Sequence, residues 1–201
     1  MKRSMMSFIL GLLTLFAICH TIRADELPPL TQIHAHNDYE HTRPLFDALS
    51  HGICSVEADI FLVNGKLLVA HDIKNVKPVR TLESLYLEPL QQRALKNRGH
   101  VYSEPSDFTL LIELKSDGAA AYAALEPVLM KYRKILTEYT PTGAVQRAVK
   151  VVITGNVPRA IMTAETSRLA AFDGTLRDID SAVSADLMPW ISDDWLAKLT
   201  F

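Results

Sequence analysis

The chain has 201 residues, of which 48% are apolar and 22% are charged, and its formal net charge is −2. This length is sufficient for one domain with a sizeable core, and the composition is ordinary for a globular protein. A charge so close to neutral excludes the broad basic surface that nucleic-acid binding requires. We therefore expect no nucleic-acid partner.

The first 24 residues have the layout of a secretory signal peptide. Lys2 and Arg3 precede an apolar run over 5–19, and Ala24 offers a small residue for cleavage. A permanent membrane anchor is the alternative, but the run is short for a hydrocarbon core of about 30 Å. We expect export to a periplasm or the cell exterior, with no stable membrane span after cleavage.

The remaining residues, 25–201, are predicted to form one domain. A short strand over 31–35 enters a histidine-rich motif, and a helix over 42–50 follows it. Thr42 is its expected cap, and Gly52 suits its end. Next comes a hairpin, because the dipeptide Asn64-Gly65 separates two apolar runs that are predicted as strands.

Strands and helices alternate in the later part of the chain. The predicted elements are a helix over 81–96, a strand over 108–115, a helix over 118–138, a strand over 148–154, a helix from Pro158, short strands over 169–172 and 185–188, and a last helix capped within 192–194. Such alternation predicts an α/β fold with a parallel sheet. A doubly wound sheet and a (β/α)8 barrel of the TIM type both satisfy it.

Polar side chains at the ends of several strands favour the barrel, because barrel enzymes carry their chemistry there. Only about six β/α units can be counted, whereas a whole barrel typically needs about 250 residues. We expect a barrel that is incomplete at its C-terminus.

Three carboxylates occur where strands should be buried. Glu57 and Asp59 alternate with apolar residues on one strand, and Glu113 ends another. Burying such groups without a partner costs several kcal/mol each. A hard divalent cation, Mg²⁺ or Ca²⁺, would neutralise them through oxygen ligands. Ion pairs within the protein are the alternative, and Lys115 lies on the same face as Glu113.

Three histidines lie near these acids. His34 and His36 share one face of the first strand, and His71 follows the second strand of the hairpin. Histidine titrates near neutrality, so two of them beside a cation suit phosphodiester cleavage as acid and base. A histidine-rich amidohydrolase would need further histidines from later strands, but none follows His100. Zinc is disfavoured for the same reason.

The motifs together resemble a known family. They are the runs His34 to Tyr39, Ser55 to Asp59, His71-Asp72 and Ile112 to Lys115, followed by Thr154 to Asn156, Ala171 to Gly174 and Asp186 to Asp193. In order and spacing, over about 31–195, they are similar to the phospholipase-C-like phosphodiesterase superfamily. Within it, the chain most resembles the altered inheritance of mitochondria protein 6 family, which is related to glycerophosphodiester phosphodiesterases.

The resemblance implies a β/α barrel with its site at the C-terminal ends of the strands. It implies that Glu57, Asp59 and Glu113 hold the cation and that His36 and His71 are the acid–base pair. His34, Asn37 and Lys115 are then expected to contact substrate.

Asn37 and Asp38 replace the arginine and glycine that follow the corresponding histidine in glycerophosphodiesterases. The resemblance also implies that the closing strands of the barrel are missing. The expected function is cleavage of a small phosphodiester or phospholipid-headgroup-like substrate. A non-catalytic remnant and a module that binds anionic headgroups are the rival hypotheses.

Overall fold

The computed structural model describes residues 27–194, which form an α/β fold. The strands are β1 Leu30–Ala35, β2 Ile53–Val63, β3 Lys66–Val69, β4 Thr109–Leu114, β5 Glu138–Thr140, β6 Gly143–Val145, β7 Lys150–Gly155, β8 Ala171–Gly174 and β9 Trp190–Ile191. The helices are α1 Phe46–Ser50, α2 Glu88–Lys96, α3 Gly118–Lys131 and α4 Arg159–Ala164, with a π-helical turn, Glu83–Leu87, leading into α2. The expected α/β class is confirmed, while the predicted leader lies outside the described residues.

Six strands of the main sheet are parallel and follow chain order, β1-β2-β4-β7-β8-β9, while β3 pairs antiparallel with β2. A doubly wound sheet reverses its strand order at a switch point, and no reversal occurs among these strands. In a flat sheet, β1 and β9 would lie about 24 Å apart. The ring centroids of His34 on β1 and Trp190 on β9 are nevertheless only 5.7 Å apart. The sheet is therefore curled into a half-barrel.

The alternation of side chains along each strand separates a polar interior from an apolar exterior. On β2, Val56, Ala58 and Ile60 are fully buried on the outer face and belong to the hydrophobic core with the helices. Glu57 and Asp59 project to the inner face, since successive residues of a strand point to opposite sides. The hydrophobic core therefore stabilises the outer face of the sheet. The polar side chains lie on the inner, concave face, where they can contact a ligand.

The hairpin between β2 and β3 is confirmed. Asn64 and Gly65 both have left-handed backbone angles, φ 50° and 76°, which a two-residue turn of this type requires. The pairing of Ile60 with Val69 brings the end of β3 back beside the middle of β2. His71 therefore emerges close to the carboxylates of β2.

The helix predicted over 42–50 is shorter than expected, because α1 begins only at Phe46. Leu45 has φ 64°, outside helical geometry, and its backbone N–H donates to Oδ2 of the buried Asp38 at 2.5 Å. This long-range hydrogen bond stabilises Leu45, the residue before the helix, in a backbone conformation that leucine rarely adopts. Thr42 is consequently not the cap, although Gly52, at φ 77°, follows the end of the helix as predicted.

Two predictions in the second half were wrong. The helix expected over 118–138 ends at Lys131, and Glu138 lies instead in the β5–β6 hairpin. Ile135 and Leu136, which lie within the predicted helix, are instead buried in the core after the helix has ended. Leu136 forms a β-bridge with Val149 there.

The strand expected over 185–188 is a turn, closed by Leu187 and Met188 N–H groups that both donate to the Ser184 carbonyl. The strand in this region is β9, which follows Pro189. Among residues 27–194, no helix is both long and apolar enough to cross a membrane.

Candidate active site

Strand register brings the three predicted carboxylates together. Asp59 on β2 is the direct neighbour of Glu113 on β4, and Glu57 lies two residues before Asp59 on the same face. One carboxylate oxygen from each of the three lies within 4.8 Å of the others. Asp59 is fully buried and Glu57 is only 4% exposed. Such proximity in a desolvated place requires a positive charge.

Lys115 supplies part of that charge. Its Nζ lies 2.9 Å from Oδ2 of Asp59 and 2.9 Å from Oε2 of Glu113. Burial alone would lower the pKa of the Lys115 ammonium, but its hydrogen bonds to the two carboxylates raise it above the ordinary value. Burial also raises the pKa of Glu113, with Asp59 adding to the effect. One ammonium shared by two acids leaves the cluster net negative.

His36 is held by the first of these carboxylates. Its Nδ1 lies 2.7 Å from Oε2 of Glu57, and the same oxygen accepts the backbone N–H of Asn37 at 2.9 Å. Asn37 has φ 51°, and this left-handed turn directs its N–H toward Glu57. The His36 side chain is 73% exposed, and within residues 27–194 its Nε2 has no hydrogen-bond partner. This nitrogen is therefore available to a ligand in the half-barrel.

His71 is held in the same way by the second carboxylate. Its Nδ1 lies 3.3 Å from Oδ2 of Asp59 and 3.1 Å from the hydroxyl of Tyr39. The Nε2 of His71 likewise has no partner in the described part of the chain. Two histidines are thus oriented through Nδ1, and within residues 27–194 the Nε2 atom of each has no partner.

Tyr39 is a residue that the sequence analysis missed. It is 3% exposed, and its hydroxyl lies 2.7 Å from Oδ2 of Asp59 and 2.7 Å from Oδ1 of Asn37, besides its contact with His71. Burial and the bond to Asp59 raise the pKa of the Tyr39 hydroxyl, so it stays protonated. The sequence signal was weak, since one tyrosine beside a histidine motif has no distinctive spacing.

His34 also lies inside the half-barrel, where its Nδ1 is 2.8 Å from the Ser55 hydroxyl and its ring meets the edge of Trp190. Burial lowers the pKa of His34, which favours the neutral ring. His34, His36 and Glu57 form a second group whose candidate ligand atoms lie within 4.8 Å of one another. Every predicted site residue is therefore in one region of the molecule.

A fourth acid, Asp173, extends this polar surface beyond the predicted residues. Its Oδ2 accepts the hydroxyl of Thr154 at 3.2 Å and also that of Ser192, while its Oδ1 accepts the backbone N–H of Ser192 at 3.1 Å. Burial raises the pKa of Asp173. Asp173 follows the apolar residues of β8, just as Glu113 follows those of β4. The same sequence pattern could therefore have identified Asp173 as a candidate site residue.

The carboxylate cluster fits a divalent cation. Oδ1 of Asp59 is buried and has no hydrogen-bond partner, and an unpaired buried carboxylate oxygen is costly. Hard cations take carboxylate oxygens, so Glu57, Asp59 and Glu113 could hold one. The nitrogen-containing group of His34, His36 and Glu57 is a donor set that zinc also accepts, so the residues do not by themselves identify the metal.

The chain is similar to known proteins. The family model described as the AIM6-like phosphodiesterase domain matches residues 22–173, which include all the predicted site residues and Asp173. No solved structure matched the chain.

Curated relatives carry the same family name. Altered inheritance of mitochondria protein 6 from Eremothecium gossypii is 37% identical over 155 residues, covering 66% of this chain and 39% of the relative. The homologue from Arthroderma benhamiae is 32% identical over 76% of this chain and 55% of its own length.

The protein from Kluyveromyces lactis is 30% identical over 85% of this chain and 50% of its own length. The chain thus spans about half the length of the curated relatives that it matches. The family inferred from the sequence motifs is confirmed: this chain belongs to the AIM6-like phosphodiesterase domain family.

Proposed function

We propose that this chain is an exported, metal-dependent phosphoric diester hydrolase. Its substrates are glycerophosphodiesters or phospholipid-headgroup-like diesters, which places it in lipid metabolism, and two histidines act as general acid and base. The phosphodiesterase-type family supports the reaction class. The half-barrel, whose described strands follow chain order, supports a fold of the (β/α)8 TIM-barrel type.

The observation that carries the proposal is the buried carboxylate cluster, with one unpaired oxygen, between two similarly oriented histidines. In this proposal Glu57, Asp59 and Glu113 are the ligands of Mg²⁺ or Ca²⁺. A bound cation would polarise a phosphoryl oxygen and offset the charge that develops during cleavage.

The histidines supply the proton transfers. Glu57 orients His36, and Asp59 with Tyr39 orients His71, through contacts to the Nδ1 atom of each ring. The Nε2 atoms, which have no partner among residues 27–194, are the ones that we expect to meet the substrate. One ring removes a proton from water or a substrate hydroxyl, and the other protonates the departing oxygen. Lys115, His34 and Asn37 are the expected substrate contacts. The charge of Lys115, together with that of a bound cation, would offset the repulsion between an anionic diester and the three acids.

A substitution of Glu57 tests the proposal. Purified protein is assayed with bis(4-nitrophenyl) phosphate and with glycerophosphocholine, in Mg²⁺, in Ca²⁺ and in excess EDTA. We expect the cation to stimulate turnover and Glu57→Gln to reduce it by about 100-fold or more, as for the loss of one electrostatic transition-state contact. The exposed Glu104→Gln is the matched control and should retain full activity.

Unchanged turnover in Glu57→Gln would refute the metal assignment. A wild-type chain that is stabilised by the cation but hydrolyses neither substrate would favour the headgroup-binding alternative. A chain that neither binds the cation nor melts cooperatively would favour the non-catalytic one.

A further inference from the structure

A cavity of about 500 Å³ opens beside the candidate active site. Tyr39 and His71, which belong to the candidate active site, also line this cavity, so it adjoins one of the two proposed acid–base residues. The rest of its wall comes from the end of β3 and the segment after it, together with the turn at 40–41. Its polar lining residues are Tyr39, Glu40, His41, His71, Lys74, Asn75, Lys77 and Arg80.

The wall of this cavity is positively charged. Lys74, Lys77 and Arg80 face one acid, Glu40. Lys74 lies 3.3 Å from Asp72, but both side chains are largely exposed, so that pair neutralises little. Among residues 27–194, neither Lys77 nor Arg80 lies within ion-pair distance of an acidic side chain. Their uncompensated charge attracts anions into the cavity.

The basic segment is held in place by backbone contacts. The guanidinium of Arg80 donates to the backbone carbonyl of Tyr39 at 2.5 Å, and the N–H of Val69 donates to the carbonyl of Arg80 at 2.8 Å. The same Tyr39 contacts Asp59 and His71 through its hydroxyl. One residue therefore connects the carboxylate cluster to the basic wall, and a ligand at His71 lies next to the cations.

We propose that this cavity binds a second anionic group of the substrate, a phosphomonoester or a carboxylate, on the part of the molecule that extends past His71. This inference rests on the proposed function and narrows its substrate class. A divalent site and Lys115 serve the scissile phosphate, whereas Lys74, Lys77 and Arg80 serve the additional charge. A cationic headgroup such as choline would be disfavoured there, and an acyl chain would contact mainly charged groups.

A series of diesters that differ in headgroup charge tests this proposal. The probes are glycerophosphocholine, glycerophosphoinositol and glycerophosphoinositol 4-phosphate, whose headgroups are cationic, neutral and dianionic in turn. We expect kcat/KM to rise along the series, with the last step worth about tenfold or more. The corresponding diacyl phospholipids, presented in phosphatidylcholine vesicles, are assayed as well. They show whether the protein recognises the charged headgroup on a membrane lipid or on a soluble diester.

A double variant assigns the effect to the cavity. Lys74→Ala with Lys77→Ala should abolish the preference for the phosphorylated headgroup and leave turnover of glycerophosphoinositol within about twofold, because both lysines are surface residues. The matched control is Lys66→Ala with Lys134→Ala, which removes two exposed lysines that do not line the cavity. Equal kcat/KM for all three headgroups, or loss of the preference in the control alone, would overturn the proposal.

Binding without turnover separates this inference from the proposed function. Inorganic pyrophosphate is titrated calorimetrically into the protein in EDTA, where no hydrolysis occurs. We expect the Lys74/Lys77 double variant to bind pyrophosphate at least about fivefold more weakly than the wild type or the control variant does. High salt should weaken pyrophosphate binding by all three proteins. Unaltered pyrophosphate affinity in that variant contradicts the cavity assignment, whether or not any diester is hydrolysed.

Discussion

The ammonium nitrogen of Lys115 lies 2.9 Å from Oδ2 of Asp59, a carboxylate with no solvent exposure. Lys115 is thus both the internal counterion of the site and a competitor of any bound cation. Lys115→Met keeps an unbranched side chain that is one atom shorter, and it removes the charge. Without divalent cation we expect a loss of stability on the order of 3 kcal/mol, since a buried charge pair is broken.

The same variant should bind the cation more tightly. The three carboxylates then lack their protein counterion, so Mg²⁺ or Ca²⁺ should raise the melting temperature by more than in wild type, while turnover falls. Melting curves with and without metal measure this, with Lys134→Met as the control. A variant that loses both stability and cation affinity would contradict the account of Lys115.

Tyr39→Phe tests the hydroxyl that joins Asp59, Asn37 and His71. We expect a stability loss of about 1.5–3 kcal/mol, the range for a hydrogen bond to a charged group. Turnover should fall in kcat more than in KM, because the hydroxyl that is removed contacts Asp59 and His71 and is assigned no bond to substrate. The pH profile of kcat should also change, which a purely structural effect would not produce.

Tyr132→Phe is the matched control for that experiment. Its hydroxyl also contacts a carboxylate, that of Glu83, at 3.3 Å, but far from the half-barrel interior. Turnover and its pH profile should remain as in wild type. If both tyrosine variants change the profile alike, Tyr39 has no specific positioning role.

Substrates with different leaving groups should show which of His36 and His71 is the general acid and which is the general base. Replacing the general acid should slow cleavage of an alkyl diester by about 100-fold or more. A 4-nitrophenyl ester needs little protonation of its departing oxygen, so this variant should keep much of that activity. His36→Ala and His71→Ala are compared on both substrates. An equal loss by both variants on both substrates would exclude the division into acid and base.

Asp38 should give the stability curve a definite pH dependence. It is fully buried, Tyr86 donates to its Oδ2 at 2.8 Å, and burial raises its pKa. Because the folded chain then holds this proton more firmly than the unfolded chain, the contribution of Asp38 is most favourable in acid. It declines as pH rises from the ordinary carboxyl pKa of about 4 through the raised value.

Asp38→Asn removes that titration. The melting temperature of wild type relative to this variant should therefore fall as pH increases from about 4 to about 7. The exposed Asp180→Asn should show a constant difference from wild type. A constant difference for Asp38→Asn as well would mean that its pKa is not raised by folding.

The signal peptide that the sequence predicts can be tested without an assay of activity. Lys2, Arg3 and the apolar run after them predict cleavage after Ala24. When the whole chain is produced in a secreting host, mass spectrometry should find Asp25 at the N-terminus of the exported form. A product that keeps residues 1–24 and sediments with membranes would instead support the anchor alternative.

Much of the candidate site was predictable because strands have a period of two. That period alone places His34 with His36, and Glu57 with Asp59, on common faces. An acid ending an apolar strand, as at Glu113, could be recognised by the cost of burying it. The Asn-Gly turn then determined that His71 returns to the same region. These are local properties, so the sequence by itself determined the composition of the carboxylate and histidine clusters.

Only the tertiary structure decided how the clusters are connected. Tyr39 reaches Asp59 and His71 because the turn before it has a left-handed residue at Asn37, whose N–H is bound by a distant carboxylate. The curl that brings His34 to Trp190 likewise depends on pairing among six strands. Contacts between residues far apart in sequence outweigh local propensity at these positions, and no pattern within one segment encodes them.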